Sequence, residues 1–261
     1  VEIGRERTLE SLLAEFDAVF AGTGAYRYVD AQLPGQSLRG VLPALPFLVA
    51  NGRRVLGTES PEDWPIAGWS QIAPEIDLTG KRVVVLGGGD TGMDCVRTAV
   101  RLGAASVSCV YRRDEAAMPG SRREVKNARD EGVQFLFNRQ PLAIEGGTSV
   151  TGLRIAETTV SNGARSESVQ TVAGSETTLA ADIVILAFGF RADPPSWLDA
   201  LAPDREPDQR LQVGIQKRLP FQTAHPKLFA GGDVVRGADL VVTAVHDGRE
   251  AARSIVRVLL A

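Results

Sequence analysis

Short runs of apolar residues that end in glycine punctuate this chain, and they set its organisation. Asp17–Ala21 (DAVFA) runs into Gly22, Thr23 and Gly24, and Arg82–Leu86 (RVVVL) into Gly87, Gly88 and Gly89. Ile183–Ala187 is followed by Phe188 and Gly189, and Leu228–Ala230 by Gly231 and Gly232. Runs of four or five apolar residues without alternation are the signature of strands buried on both faces, which occur in parallel sheets. In such sheets ligands lie beyond the carboxyl ends of the strands, where these glycines fall.

Longer periods fill the intervals. An amphipathic helix is predicted over 8–15, a βαβ unit from strand 82–86 through helix 91–102 to strand 106–111, and a second helix over 121–131 leading to strand 134–137. Gly103 and Gly132 are the expected helix stops. The Thr-, Ser- and Gly-rich stretch 148–178 alternates apolar and polar residues as an antiparallel β meander does, and 242–260 reads as a long final helix. Between Leu33 and Pro74 lie six of the 14 prolines, with Trp64 and Trp69 and little periodicity, so this is read as a connecting segment. The predicted division is 1–75, 76–190 and 191–261, an α/β fold whose central part is a Rossmann-like nucleotide domain.

Composition narrows the function. The 261 residues are 44% hydrophobic and 23% charged, which is ordinary for a globular protein. With 29 Lys and Arg against 32 Asp and Glu, no basic excess exists for a nucleic acid or an anionic membrane. No apolar run approaches the 18 or so residues needed to span a bilayer. Two isolated cysteines, Cys95 and Cys109, make neither a disulfide framework nor a zinc or iron–sulfur site and are expected to be inert buried thiols in a reducing cytoplasm. Because the chain opens on Val1 in what reads as mid-domain, it is expected to be a fragment.

The sharpest chemical signal is GGGDTGMD. Gly87, Gly89 and Gly92 form a GxGxxG directly after a strand and at the start of a helix, with Gly88, Asp90 and Thr91 between them. In that context the first glycine makes the turn, the second admits a pyrophosphate, and the third packs helix on strand with the helix N-terminus facing the anion. An NAD site wants an acidic residue about 20 positions on, but Arg112 stands there, followed by Arg113. Paired guanidiniums suit a 2′-phosphate and not a free hydroxyl, so the expected cofactor is NADP(H). Asp114 and Glu115 follow, which leaves a plain solvated charge cluster as the alternative. One of Arg122 and Arg123 is expected to close on the same phosphate. Near the C-terminus, LFAGGD sets Asp233 after a strand and Gly232, where its carboxylate can accept from a ribose or ribityl hydroxyl. The following helix N-terminus, near Leu240–Thr243, suits the negative charge of a reduced flavin. His225 and His246 belong to no triad pattern and are expected to be structural. No catalytic acid or base is evident, consistent with hydride transfer, which needs two rings held face to face.

The stretch VVVLGGGDTGMDCVRTAVRLGAASVSCVYRRDEAAMPGSRREVKNARDEGVQFLFN resembles the NADPH-binding domain of glutamate synthase small (beta) subunits. The likeness continues in EFDAVFAGTGAYRYVDAQLPG, AFGFRADP and LFAGGDVVRGADLVVTAVHDGREAA. Dihydropyrimidine dehydrogenase and NADPH-dependent ferredoxin oxidoreductases share the pattern more loosely. The resemblance implies a flavoprotein with two dinucleotide-binding domains, the NADPH domain inserted in a partial FAD domain. It implies hydride passing from NADPH to FAD, and electrons passing through iron–sulfur clusters to a large subunit that makes glutamate from glutamine and 2-oxoglutarate. By motif, Gly87–Gly92 would hold the pyrophosphate, Arg112 and Arg113 the 2′-phosphate, and Ala187, Phe188 and Gly189 the wall near the nicotinamide. FAD would take Thr23, Gly24 and Ala25 with the run Gly232, Asp233, Asp239, Leu240 and Val241, and Asp233 would lie where both cofactors approach. The family's cluster-binding cysteines and its earlier FAD fingerprint are not among these residues, so about 200 N-terminal residues are expected to be missing and the FAD site incomplete. Two other readings stay open: a flavoprotein feeding a different iron–sulfur partner, and a nucleotide-binding module without turnover.

Overall fold

A computed structural model describes residues 1–58, 77–163, 166–201, 203–216 and 218–260, and the side chains of 160–168 lie outside the description. The first elements are α1 (Leu9–Glu15), β1 (Val19–Ala21), β2 (Arg27–Tyr28), β3 (Val41–Pro43), α2 (Ala44–Leu56), β4 (Arg82–Leu86), α3 (Asp90–Arg101), β5 (Ser106–Val110), α4 (Arg122–Asp130) and β6 (Gln134–Leu136). Four strands follow, β7 (Arg139–Gly146), β8 (Val150–Gly163), β9 (Ser166–Thr171) and β10 (Thr177–Ala180). The chain closes with β11 (Ile183–Leu186), β12 (Phe190–Arg191), a 3-10 helix Ser196–Leu201, β13 (Leu228–Ala230), α5 (Asp233–Arg236) and α6 (Val241–Leu259). Two compact units result, one of Val1–Val29 with Phe190–Ala261 and one of Asp30–Gly189.

The larger unit is a three-layer sandwich built on a parallel sheet of order β3-β11-β4-β5-β6. Alternate residues of each strand go to opposite faces. Val83, Val85, Val107, Cys109, Ile183 and Ile185 join the core beneath α2, α3 and α4. Val84, Leu86, Val110 and Val184 face the opposite way and pack with Ile144, Leu153 and Ile155 of the antiparallel sheet. Both faces are covered, which is why these strands read as unbroken apolar runs. The meander appears as predicted, with β8 pairing β7 and β10 on one stretch and β9 on another.

The segment after Leu33 differs from expectation. It contributes β3, a parallel partner of β11 (Val41↔Val184), and the helix α2, whose Phe47 is fully buried. It therefore belongs with the larger unit from Asp30, and not with a domain ending at residue 75. Pro43 and Pro46 masked this helix from a sequence reading, yet they occupy its N-cap and first turn, where no intrahelical N–H is required. Trp64 and Trp69 lie outside the described residues.

The smaller unit pairs β1 with β13 in parallel and β2 with β12 antiparallel. Its core gathers Leu9, Leu13, Ala21, Leu198, Leu211, Leu228 and Val234. Thr8 caps α1 by accepting from Ser11 N at 3.2 Å, which satisfies one of the helix's orphan donors.

One ion pair fixes the entrance of the larger sheet. Asp182, just before β11, accepts from Arg82 N at 2.8 Å, from Nε at 3.0 Å and from Nη2 at 2.7 Å. The Arg82 side chain, then its backbone N–H, hold the Asp182 carboxyl down at about 2, against an ordinary 3.8. A depressed carboxylate stabilises the fold above its unfolded pKa and stops doing so as pH falls through its folded one. Asp182→Asn is thus expected to lower the melting temperature at pH 7, with the gap from wild type closing between pH 4 and 2. A gap that stays constant over that range, followed by calorimetry, contradicts the assignment.

Candidate functional site

The turn after β4 is shaped by close approach. Gly87 has φ +131°, and a Cβ there would stand 2.2 Å from Ala187 O at the end of β11. A Cβ on Gly92 would meet Gly87 O at 2.6 Å, and one on Gly88 the Tyr111 ring at 2.7 Å. Gly89 is the opposite case. It N-caps α3 at φ −85° and ψ 175°, and nothing lies within 4 Å of its Cβ position. Three glycines are demanded by the protein's own atoms, and the fourth borders open space. That is where the backbone N–H groups of a helix start can receive a pyrophosphate, so the turn fits a dinucleotide. Asp90 and Thr91 open the helix, and Asp90 Oδ1 accepts from Ser121 N at 2.8 Å.

The loop after β5 lies at the carboxyl end of the neighbouring strand, since Leu86 pairs with Val110. Its backbone is anchored at several points. Thr158 Oγ1 donates to Arg112 O at 2.7 Å, Asn138 N to Arg113 O at 3.0 Å, and Tyr111 Oη to Ala117 O at 2.7 Å. Gly120 N donates to Gly88 O at 2.9 Å, which ties the loop's far end to the glycine turn. The main chain is held while the Arg112 side chain is exposed and Arg113 half-buried. Arg122 is the first residue of α4 and, like Arg123, is exposed. Helices α3 and α4 are clamped by Arg97, which pairs with Glu124 and reaches Glu131 at 2.8 Å. Ala187 is buried, Phe188 packs against the β-meander core, and Gly189 at φ +92° has no atom within 4 Å of its Cβ position.

In the smaller unit the β1 and β13 ends lie side by side, with Ala21 paired to Ala230. Thr23, Gly24 and Ala25 follow β1. Gly24 has φ +77°, Ala25 is buried, and Thr23 Oγ1 is buried without a hydrogen-bond partner among the described residues. An orphaned buried hydroxyl is costly, and its place in the stretch expected to touch FAD fits a polar ligand there. Gly232 and Asp233 follow β13. Burial raises the Asp233 carboxyl above its ordinary value. Asp233 opens the short α5, while α6 begins at Val241 after Leu240, and Thr243 Oγ1 donates to Asp239 Oδ2 at 3.0 Å.

Several residues that shape these sites were not legible in the sequence. Asp247, inside α6, is fully buried, accepts from Gly232 N at 3.0 Å, and takes Arg236 Nε and Nη2 at 2.7 and 2.6 Å. That pair, chiefly the Arg236 hydrogen bonds, holds the Asp247 carboxyl below its ordinary value. His225 Nδ1 accepts from Lys227 N at 3.3 Å inside a turn, and His246 is exposed. Cys95 and Cys109 are buried and free, and desolvation pushes both thiols up, Cys109 to about 12. Among the described residues no helix is long and apolar enough to cross a membrane.

A family model, the pyridine nucleotide-disulphide oxidoreductases, matches residues 13–248. The chain belongs to this family. Its two cysteines, Cys95 and Cys109, are not spaced as a Cys-x-x-Cys pair, and both are buried. Over 98% of its length it is 49% identical to the glutamate synthase [NADPH] small chain of Halomonas elongata, covering 52% of that protein. It is 48% identical over the same share to the putative oxidoreductase AegA of Escherichia coli, covering 38% of it. The chain thus spans about half the length, or less, of the curated relatives it matches. Among solved structures it superposes on Mycobacterium tuberculosis FprA in complex with NADPH with a TM-score of 0.72 at 17% identity, covering 99% of this chain and 67% of that one. That likeness establishes the shared fold.

Proposed function

We propose that this chain is the NADPH-binding and flavin-binding portion of a glutamate synthase small subunit. The observation that carries the reading is the open space at Gly89, at the carboxyl end of β4, beside the anchored Arg112–Arg113 loop on the neighbouring strand. The α3 N-terminus receives the pyrophosphate, Arg112, Arg113 and Arg122 meet the 2′-phosphate, and Ala187–Gly189 bounds the nicotinamide. Thr23, Gly24, Ala25, Gly232, Asp233, Asp239, Leu240 and Val241 contact FAD. FAD, when bound, accepts the hydride that NADPH gives up. What the chain's own residues do is bind and orient, since no side chain has to move a proton for this transfer. In the whole protein the electrons pass through iron–sulfur clusters to a large subunit that forms glutamate from glutamine and 2-oxoglutarate. The nearly equal identity to AegA, 48% against 49%, supports a second reading, in which the same NADPH module feeds a different iron–sulfur partner.

The first test is an anaerobic visible spectrum of the purified chain, with and without added FAD, followed by NADPH. Because these 261 residues contain a single strand–GxGxxG–helix unit, the expected result is tight NADPH binding, seen as quenched protein fluorescence, without a retained flavin that bleaches. Retention and bleaching overturn the binding-only expectation for this chain and make it a minimal NADPH dehydrogenase. Failure to bind NADPH overturns the nucleotide assignment itself. Glutamine-dependent NADPH oxidation by the full-length protein with a glutamate synthase large subunit separates the first reading from the second.

A further inference from the structure

None of the residues assigned to either nucleotide lines a cleft of about 360 Å³ in the smaller unit, where Arg191, Arg210 and Arg236 converge with Asp208 beside them and Phe190 as an apolar wall. That volume lies within the range of small-molecule sites.

Two of the guanidiniums are held in place by the protein. Arg236 spends Nε and Nη2 on the buried Asp247, and Arg210 spends Nε on Asp208 at 2.8 Å and Nη1 on Arg236 O at 3.2 Å. Arg236 Nη1 and Arg210 Nη2 are left without a protein partner among the described residues. The backbone of Arg191 is paired with Arg27 across β12 and β2, while its side chain makes no hydrogen bond or ion pair to the described residues. The three guanidiniums are offset by the carboxylates of Asp208 and Asp247, with Asp239 also near enough to act on Arg236 through its charge, and the spare donors belong to side chains already oriented. Fixed guanidiniums with unspent N–H groups are the arrangement that grips an oxyanion bidentately.

We propose that this cleft is an anion site, separate from the dinucleotide sites, that takes the phosphate or carboxylate of a small molecule. Arg191 is the mobile third arm that closes on the anion, Arg210 and Arg236 form its fixed floor, and the ring of Phe190 receives the ligand's apolar part.

The probes are inorganic phosphate and malonate, each titrated into the isotope-labelled chain saturated with NADPH, so that the nucleotide site cannot report. The backbone amides of Arg191, Ala192 and Gly237 are expected to shift saturably, and the tighter of the two anions assigns the ligand as phosphoryl or carboxylate. Arg191→Gln should weaken that binding about tenfold while leaving NADPH binding and the melting temperature unchanged, since one charge-assisted contact is lost. Arg210→Gln is the second variant and should weaken it as well. Absence of saturable shifts with both anions overturns the proposal, and so does binding that persists undiminished in both variants.

Discussion

Replacing Arg112 and Arg113 together by serine removes the preference for NADPH over NADH. Each charge-assisted hydrogen bond to a phosphate contributes about 1.5–3 kcal/mol, so losing two weakens NADPH on the order of 10²–10⁴-fold. NADH, which has no 2′-phosphate, should lose almost nothing. The fold is expected to survive, because the loop is held through main-chain atoms: Thr158 Oγ1 on Arg112 O, Asn138 N on Arg113 O, and Gly120 N on Gly88 O. The single variants divide the effect, with exposed Arg112 costing no ordered structure and half-buried Arg113 also bordering the protein. Dissociation constants for both nucleotides, measured by fluorescence on wild type and double variant, decide the matter. If the ratio of the two constants is unchanged, the phosphate is bound elsewhere, and Arg122 and Arg123 become the next candidates.

The proposed selectivity is readable in the sequence because the pattern that suggests it is one of residue type and spacing: a glycine turn after an apolar run, a helix, and a guanidinium pair at the end of the next strand. The same locality made β4, α3, β5 and α4 legible to within a residue or two. What stayed hidden depends on through-space pairing. β3 has only three residues and exists because β11, more than a hundred positions later, supplies its partner. α2 hid behind two prolines that a helix tolerates only at its start. The support of the sites was hidden for the same reason, since nothing in the spacing ties Thr158 to Arg112, Tyr111 to Ala117, or Asp247 to Arg236. Motifs name the groups that meet a ligand, and the tertiary fold supplies the groups that hold them still.

The glycines of the turn separate folding from binding, and two substitutions show it in opposite ways. Gly87→Ala puts a Cβ 2.2 Å from Ala187 O at a φ of +131°, a clash with backbone that no rotamer relieves. Backbone strain and forced overpacking of this kind cost about 2–6 kcal/mol together, so this variant is expected to melt well below wild type or to accumulate unfolded. Gly89→Ala meets no protein atom within 4 Å and sits at an extended φ open to any residue. Its cost to the fold is at most about 1 kcal/mol, from exchanging a glycine N-cap for alanine. The added methyl does, however, enter the space through which a pyrophosphate approaches the α3 N-terminus. NADPH and NADH affinities should both fall by about 100-fold or more, near 2.7 kcal/mol, with their ratio preserved. Calorimetry and nucleotide titration on the two variants check this. A Gly89→Ala protein that binds NADPH as tightly as wild type shows that the open space is not the pyrophosphate's. The two pairs of variants would thereby assign selectivity and affinity to different atoms of one loop pair, with the Arg112–Arg113 side chains expected to decide which nucleotide is preferred and the bare backbone at Gly89 whether either binds at all.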